Sequence, residues 1–227
     1  MEPSVTVVIP TLNEADRIGE TIGGLEGSGV REVIVVDGGS SDRTVEIAKS
    51  MGARVFLETA NRGRQQDVGA AHAKGEILVF LHADTSLPRG FADQVRTTLG
   101  EPGVIGGAFR FKLDAQGWQL RLVEIVVGLR SRIFGLPYGD QAIFVRQDTF
   151  LAIGGFGALP VMEDFDLVRR LKRIGRVKLA RGAAVTSARR WLREGVWRLT
   201  WIHQICILGY LLRLPAERLA RLRSATE

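Results

Sequence analysis

A chain of 227 residues, 45% hydrophobic and 25% charged, can bury one sizeable core and is too short for two full domains. Its one cysteine, Cys206, excludes an internal disulfide and a cysteine-based zinc cluster, and fits a reducing compartment. The net charge of +6 is concentrated in residues 189–227, where eight arginines meet three glutamates; such a tail suits an anionic membrane surface, a nucleic acid or plain solvent alike. The opening MEPSVTVVIP has no basic n-region and no long apolar run, so no export signal is expected.

VTVVIP reads as a short strand stopped by proline, and NEADRIGETIGGL as the helix after it. REVIVVDGG repeats the pattern with a strand ending at Asp37, followed by the helix SDRTVEIAKSMG, with Ser41 or Asp42 as cap and Gly52 as stop. ARVFLE is a third strand, RGRQQDVGAAHAKG a helix closed by Gly75, and EILVFLHAD a strand of continuous apolar character. This alternation predicts an α/β protein with a Rossmann-like, mainly parallel central sheet and helices on both faces. Ligands of such sheets sit at the carboxyl ends of strands, which here carry Thr11, Asn13, Glu14, Asp37 and Asp84.

The second half is less regular. VIGGAFRFKL and QAIFV read as strands, WQLRLVEIVVGLRSRIFG as an amphipathic helix, and FDLVRRLKRIG as a helix opened by acids and closed by glycine. RVKLA and AAVTS follow, and then a Trp-, Ile- and Leu-rich tail interrupted by His203, Gln204 and Arg213, too interrupted to read as a membrane span. The expected organisation is one domain over residues 1–190 and a basic, amphipathic helical tail over 191–227, either part of that domain or membrane-associated.

In order, VVIPTLNEADRI, VVDGGSSDRT, RGRQQDVGAAHAKGEILVFLHAD, IGGF and MEDFDLVRRLKRIG resemble the inverting glycosyltransferases of family 2, which have a GT-A fold. The resemblance covers roughly residues 4 to 190. FLHADT, YGDQAIFV, MEDFDL and SARRW look like a bacterial subgroup associated with arsenosugar biosynthesis genes.

The resemblance implies a hexosyl-type transferase that moves a sugar from a nucleoside diphosphate sugar, UDP in particular, to an acceptor hydroxyl. It implies that Pro10, Thr11, Asn13 and Glu14 touch base and ribose, that Asp37 accepts from the uracil edge, and that Arg62 and Arg64 neutralise diphosphate. The family's D-x-D motif reads His82-Ala83-Asp84 here. Asp84 would keep the contact with Mn²⁺ or Mg²⁺ while His82 donates to a ribose or sugar hydroxyl. His203 is either a second metal ligand or a packed amphipathic residue. Asp164, beside Glu163 at a helix start, would be the general base of inverting transfer. Asp140 and Gln141 would meet donor sugar or acceptor, and Arg189, Arg190 and Trp191 would hold diphosphate and close the site. SARRW lacks the glutamine of the processive relatives' Q-x-x-R-W segment.

The tail has the composition of an interfacial helix, so a lipid acceptor and peripheral contact with the inner face of a membrane are expected alternatives to a purely cytoplasmic protein, and a homodimer contact is another use for it. Two other functions stay open: a non-catalytic nucleotide-sugar binding or scaffold protein, suggested by His82, and a sugar nucleotidyltransferase, whose glycine-rich basic loop PTLNEADRI does not match. No nucleic-acid reader motif is present.

Overall fold

The computed structural model describes residues 2–157 and 159–224. Strand β1 (Val5–Thr11) is buried along its whole length. Its side chains divide by the two-residue period of a strand: Val5, Val7 and Ile9 enter one core and Val8 the other. β4 (Ile77–Phe80) repeats this, with Ile77 and Val79 on the first face and Leu78 and Phe80 on the second. Strands apolar on both faces belong at the centre of a sheet covered on both sides.

The first face is covered by α1 (Ala15–Gly23), α2 (Thr44–Ser50) and α4 (Phe91–Leu99), through Ile18, Ile22, Ala48, Phe91 and Val95. The second is covered by α3 (Arg62–Ala71), α6 (Gln147–Ala152) and α7 (Glu163–Ile174), through Ala70, Phe150, Leu167, Val168 and Leu171. Gly69 permits α3 to lie directly on β1, because a Cβ there would run into the side chain of Val8.

The other strands are β2 (Glu32–Asp37), β3 (Arg54–Leu57), β5 (Thr85–Ser86), β6 (Val104–Leu113), β7 (Phe144–Arg146) and β8 (Arg176–Thr186), in the sheet order β3-β2-β1-β4-β7-β6-β8-β5. β3, β2, β1 and β4 are parallel, as the alternation predicts. β7 enters antiparallel between β4 and β6, and β5 lies antiparallel on β8, so the whole sheet is mixed. The reason lies in α5 (Trp118–Phe134): Leu120 and Val123 pack against Phe111 and Leu113 at the end of β6 instead of crossing a sheet face, so the chain re-enters in the reverse direction.

Several local expectations shift. α3 ends at Ala71, short of Gly75. α2 begins at Thr44, where Asp42 still serves it by accepting from the Thr44 amide at 3.0 Å. QAIFV contributes only its last residues to β7, since Gly139–Gln141 form a 3₁₀ turn. RVKLA and AAVTS are one strand, β8, with register irregularities against β6.

The tail forms α8 (Arg189–Glu194), α9 (Val196–Leu211) and α10 (Ala216–Ser224), and its last three residues, 225–227, lie outside the described residues. The expected division at residue 190 falls inside α8. Trp191, Val196 and Leu199 share a third core with Phe111, Leu113 and Leu120, so the tail docks on the sheet's end. Among the described residues no helix is long and apolar enough to cross a membrane.

Candidate active site

Parallel β1, β2 and β4 bring their carboxyl ends to one edge of the sheet, and antiparallel β7 starts at that same edge. β6 and β8 run together and end side by side at Leu113 and Thr186. Residues far apart in sequence therefore line one cavity of about 450 Å³, among them Thr11, Glu14, His82, Asp84, Asp140 and His203. A smaller cavity of about 100 Å³, lined by Tyr138, Met162 and Asp164, shares Arg62, His82, Asp140 and His203 with it.

On the β1 side, Pro10, Thr11 and Glu14 line the larger cavity. Asn13, in the left-handed region at φ 54°, is pinned to the β2–α2 loop: its amide donates to Ser40 Oγ at 2.8 Å and its Oδ1 accepts from the Ser41 amide at 2.9 Å. Glu14 lies 3.5 Å from Arg189, and burial pushes its carboxyl up, with Asp84 adding to the rise against the opposing charge of Arg189.

Asp37 is 1% exposed and is absent from the cavity lining. Its Oδ1 accepts from the amides of Gly39 and Ser40 at 2.9 and 2.8 Å, and its Oδ2 accepts from the hydroxyls of Thr11 and Ser40. It closes the turn after β2, and a uracil edge would have to displace bonds already made.

Arg62 lines both cavities and lies 3.8 Å from Glu163, whereas Arg64 is exposed and away from them. Two residues along a helix is about 200° of rotation, so the pair cannot face one site. Gln65, which sequence reasoning passed over, also lines the larger cavity; its amide ties the carbonyls of Thr11 and Val36 at 2.9 and 2.8 Å. One of two adjacent glutamines in a polar helix start carries no signal of that role.

The His82-Ala83-Asp84 loop is fixed by its backbone. The Thr85 amide donates to the His82 carbonyl at 3.2 Å, and the Ser187 amide donates to the Asp84 carbonyl at 3.1 Å, joining the loop to the end of β8. Asp164 sits in the first turn of α7, after Met162 at φ 65°. Its Oδ2 accepts from the Gly139 amide at 2.6 Å. A Cβ on Gly139 would come within 3.1 Å of His82 Nε2 and 3.2 Å of Asp164 Oδ2, which shows how tightly this turn sits between the two side chains. Glu163 is 4% exposed beside Arg62.

Gln141 is fully buried: its amide donates to the Phe109 carbonyl at 2.9 Å, and its Oε1 accepts from Ser131 Oγ and the Tyr138 amide. Its hydrogen bonds are committed to the fold, so it presents nothing to a sugar. Asp140 beside it lines both cavities. Burial pushes its carboxyl up to about 6; Asp164 and Asp84 add to the rise, while Arg130 and Arg62 oppose it. The guanidinium of Arg130 lies 3.4 Å from the centre of the Tyr138 ring, a pairing the sequence reading also missed. In the tail, Arg190 bonds Glu194 at 2.8 Å, and Trp191 meets His203 edge-on at 5.5 Å; all except Glu194 line the larger cavity. Arg189 instead reaches Glu14.

No three His, Cys, Asp or Glu side chains converge as a ready-made metal cage among the described residues. The donors around the cavity still suit a hard divalent cation that takes much of its coordination from phosphate and water: beside Glu14, which faces Arg189, the cavity has two further carboxylates, Asp84 and Asp140, with the imidazoles of His82 and His203. Asp140 Oδ1 is buried and accepts no hydrogen bond, an orphaned acceptor of the kind a cation satisfies.

The pattern of the family described as "Glycosyl transferase family 2" matches residues 6–159. The chain is 30% identical over 155 residues to the undecaprenyl-phosphate 4-deoxy-4-formamido-L-arabinose transferase of Edwardsiella ictaluri, covering 63% of this chain and 48% of that one. It is 30% identical over 170 residues to glycosyltransferase AglJ of Haloferax volcanii, covering 68% and 55%. The chain thus spans about half the length of these relatives. Among solved structures, the mannosyltransferase PcManGT of Pyrobaculum calidifontis, in complex with GDP-Man and Mn²⁺, superposes with a TM-score of 0.70 at 20% identity, over 98% of this chain and 69% of that one. Glucosyl-3-phosphoglycerate synthase of Mycobacterium tuberculosis, in complex with Mn²⁺, UDP and glucosyl-3-phosphoglycerate, superposes with a TM-score of 0.61 at 21% identity, over 94% and 81%. The fold is therefore GT-A, and the family match over residues 6–159, together with a sheet edge that gathers the PTLNE, HAD and MED segments around two cavities with shared walls, shows that the chain belongs to glycosyl transferase family 2.

Proposed function

We propose that the chain is an inverting, metal-assisted glycosyltransferase that moves a sugar from a nucleoside diphosphate sugar, a UDP-sugar foremost, to an acceptor hydroxyl. The observation that carries this reading is the placement of Asp164 at the N-terminus of α7, in the small cavity that opens on the donor-sized one. The Gly139 amide, donating to Oδ2 at 2.6 Å, holds this carboxylate in position in the cavity, and a base for the acceptor hydroxyl has to be fixed in place in this way. Asp164 takes the acceptor O–H proton while that oxygen forms its bond to the anomeric carbon. The bond from that carbon to the diphosphate oxygen breaks, and its electron pair leaves with the diphosphate.

A bound Mn²⁺ or Mg²⁺ supplies charge stabilisation for the departing diphosphate. Asp84 would hold the ion, with His203 within the same cavity, and Arg62 and Arg190 reach it to meet phosphate oxygens. Pro10, Thr11 and Glu14 border the nucleoside end, and His82 is set to donate to a ribose or sugar hydroxyl. Trp191, 7% exposed, walls the cavity. The Mn²⁺ complexes of PcManGT and of glucosyl-3-phosphoglycerate synthase support the metal and the nucleotide.

For the acceptor, the same reading favours a lipid. α5 and α9 leave Trp118, Ile125, Leu129, Ile133, Trp201 and Leu208 exposed, with Trp118 and Trp197 ring to ring at 6.0 Å. A cavity of about 230 Å³ between these helices reaches Asp140 and His203. Arg132 and Arg198, exposed on the same helices, suit an anionic membrane surface, and one relative is named for undecaprenyl phosphate.

The test is release of nucleoside diphosphate from a panel of UDP-sugars and GDP-mannose, with and without Mn²⁺, supplied with polyprenyl phosphates and simple alcohols as acceptors. Metal-dependent UDP release that Asp164→Asn removes is the expected result. Unchanged turnover in Asp164→Asn would refute the base assignment, and tight donor binding without turnover in the wild type would favour a binding or scaffold protein.

A further inference from the structure

The D-x-D pattern is short of one acid in the sequence, because His82 stands where the first would be. The tertiary structure brings another acid to the place: Asp140, from the turn before β7, lines the larger cavity together with His82 and Asp84. Its Oδ1 is buried without a hydrogen bond, and among the described residues Asp140 forms no ion pair. Arg130, the cation that acts on it most strongly, makes its own contacts with other groups: its guanidinium lies over Tyr138 and its Nε donates to the Leu136 carbonyl at 3.2 Å. A carboxylate with one buried, empty oxygen, on which Asp164 and Asp84 act against Arg130 and Arg62, offers an acceptor that an arriving cation would satisfy.

We propose that Asp140 supplies the second carboxylate of a divalent-cation site whose first is Asp84, replacing the acid that His82 displaces from the D-x-D pattern. The inference rests on the nucleotide-sugar reading above. The site would be completed by diphosphate oxygens and water, so two protein carboxylates suffice without a protein-only cage, of which there is none among the described residues. The two carboxylates come from opposite neighbours in the sheet: Asp84 follows β4, and Asp140 precedes β7, the strand that pairs with β4 in reverse. Their approach is thus a property of the strand order.

The test is calorimetric titration of UDP into the full chain, in Mn²⁺ and in EDTA, for the wild type, Asp84→Ala, Asp140→Asn and the double variant His82→Asp/Asp140→Asn. The wild type should bind UDP at least tenfold more tightly in Mn²⁺. Asp140→Asn, which keeps the side-chain shape, should lose most of that gain, and a thermal melt in EDTA no lower than that of the wild type shows that it is folded. The double variant, with D-x-D restored, should regain the metal dependence. If Asp140→Asn keeps the whole Mn²⁺ gain while Asp84→Ala loses it, the inference fails and the transferase reading stands. Equal wild-type binding in Mn²⁺ and EDTA overturns the inference together with the metal-assisted part of the reading, and leaves the transfer from a UDP-sugar standing. No wild-type binding of UDP under either condition overturns the UDP reading and the inference with it.

Discussion

The two halves of the cavity wall are built on opposite terms. On the β1–β2 side the polar side chains are spent on each other: Asp37 takes four hydrogen bonds, Asn13 bridges two loops, and Gln65 ties two strand ends. On the β7–α7 side, buried atoms of Asp140, Tyr138 and Arg130 lack hydrogen-bond partners and a carboxyl is pushed up to about 6. A satisfied wall is rigid and can be shaped for a nucleotide. An unsatisfied one keeps charge in reserve, which is where proton transfer and cation binding are expected.

Four measurements would break or sharpen that contrast. The largest effect is expected for Asp164→Asn, which should lower kcat by about 10² to 10⁴ with UDP affinity unchanged; a parallel loss of UDP binding would mean that both walls hold nucleotide. Asp37→Ala should behave oppositely, destabilising the fold by about 3 kcal/mol by chemical denaturation, since it strands several buried donors at once. A fall in UDP affinity with stability intact would return Asp37 to the uracil edge.

Asp140→Asn should stabilise the metal-free protein. The folded carboxyl, at about 6, lies above its ordinary value of 3.8, so the native state holds its proton longer and stability falls as pH rises between these values. Removing the charge should therefore add up to about 3 kcal/mol above pH 7 and nothing below pH 4, read by thermal melting in EDTA. A variant less stable than the wild type at pH 7.5 would show that Asp140 is already paired. The smallest effect is expected for Arg189→Ala: its contact with Glu14 is long and half exposed, worth less than about 1 kcal/mol in stability. A large loss would make α8 a structural clasp on the β1 loop.

Much of the satisfied wall's scaffold was legible. Alternating strands and helices gave β1 to β4 and their helices, because local period reports burial on two faces directly. α4 and α6 were missed, and the reversal at β7 was invisible because α5 reads as an amphipathic helix wherever it packs. Among site residues, the strand-end loops and the acid pair at the start of α7 were legible by position. Arg62 and Arg64 were not separable, since only the first turn of α3 decides which one faces the cavity.

The sequence by itself determined an α/β sheet with its chemistry at the carboxyl ends of strands, a D-x-D motif short of one acid, and a carboxylate pair opening a helix. Only the tertiary structure decided that Asp37 and Gln141 spend their hydrogen bonds within the fold, that the tail docks on the sheet's end, and that Asp140 and Asp84, beside neighbouring strands, line one cavity. The reason is physical: local period records which side of an element is buried, whereas the partners that use up or leave open a polar group arrive from segments remote in the chain.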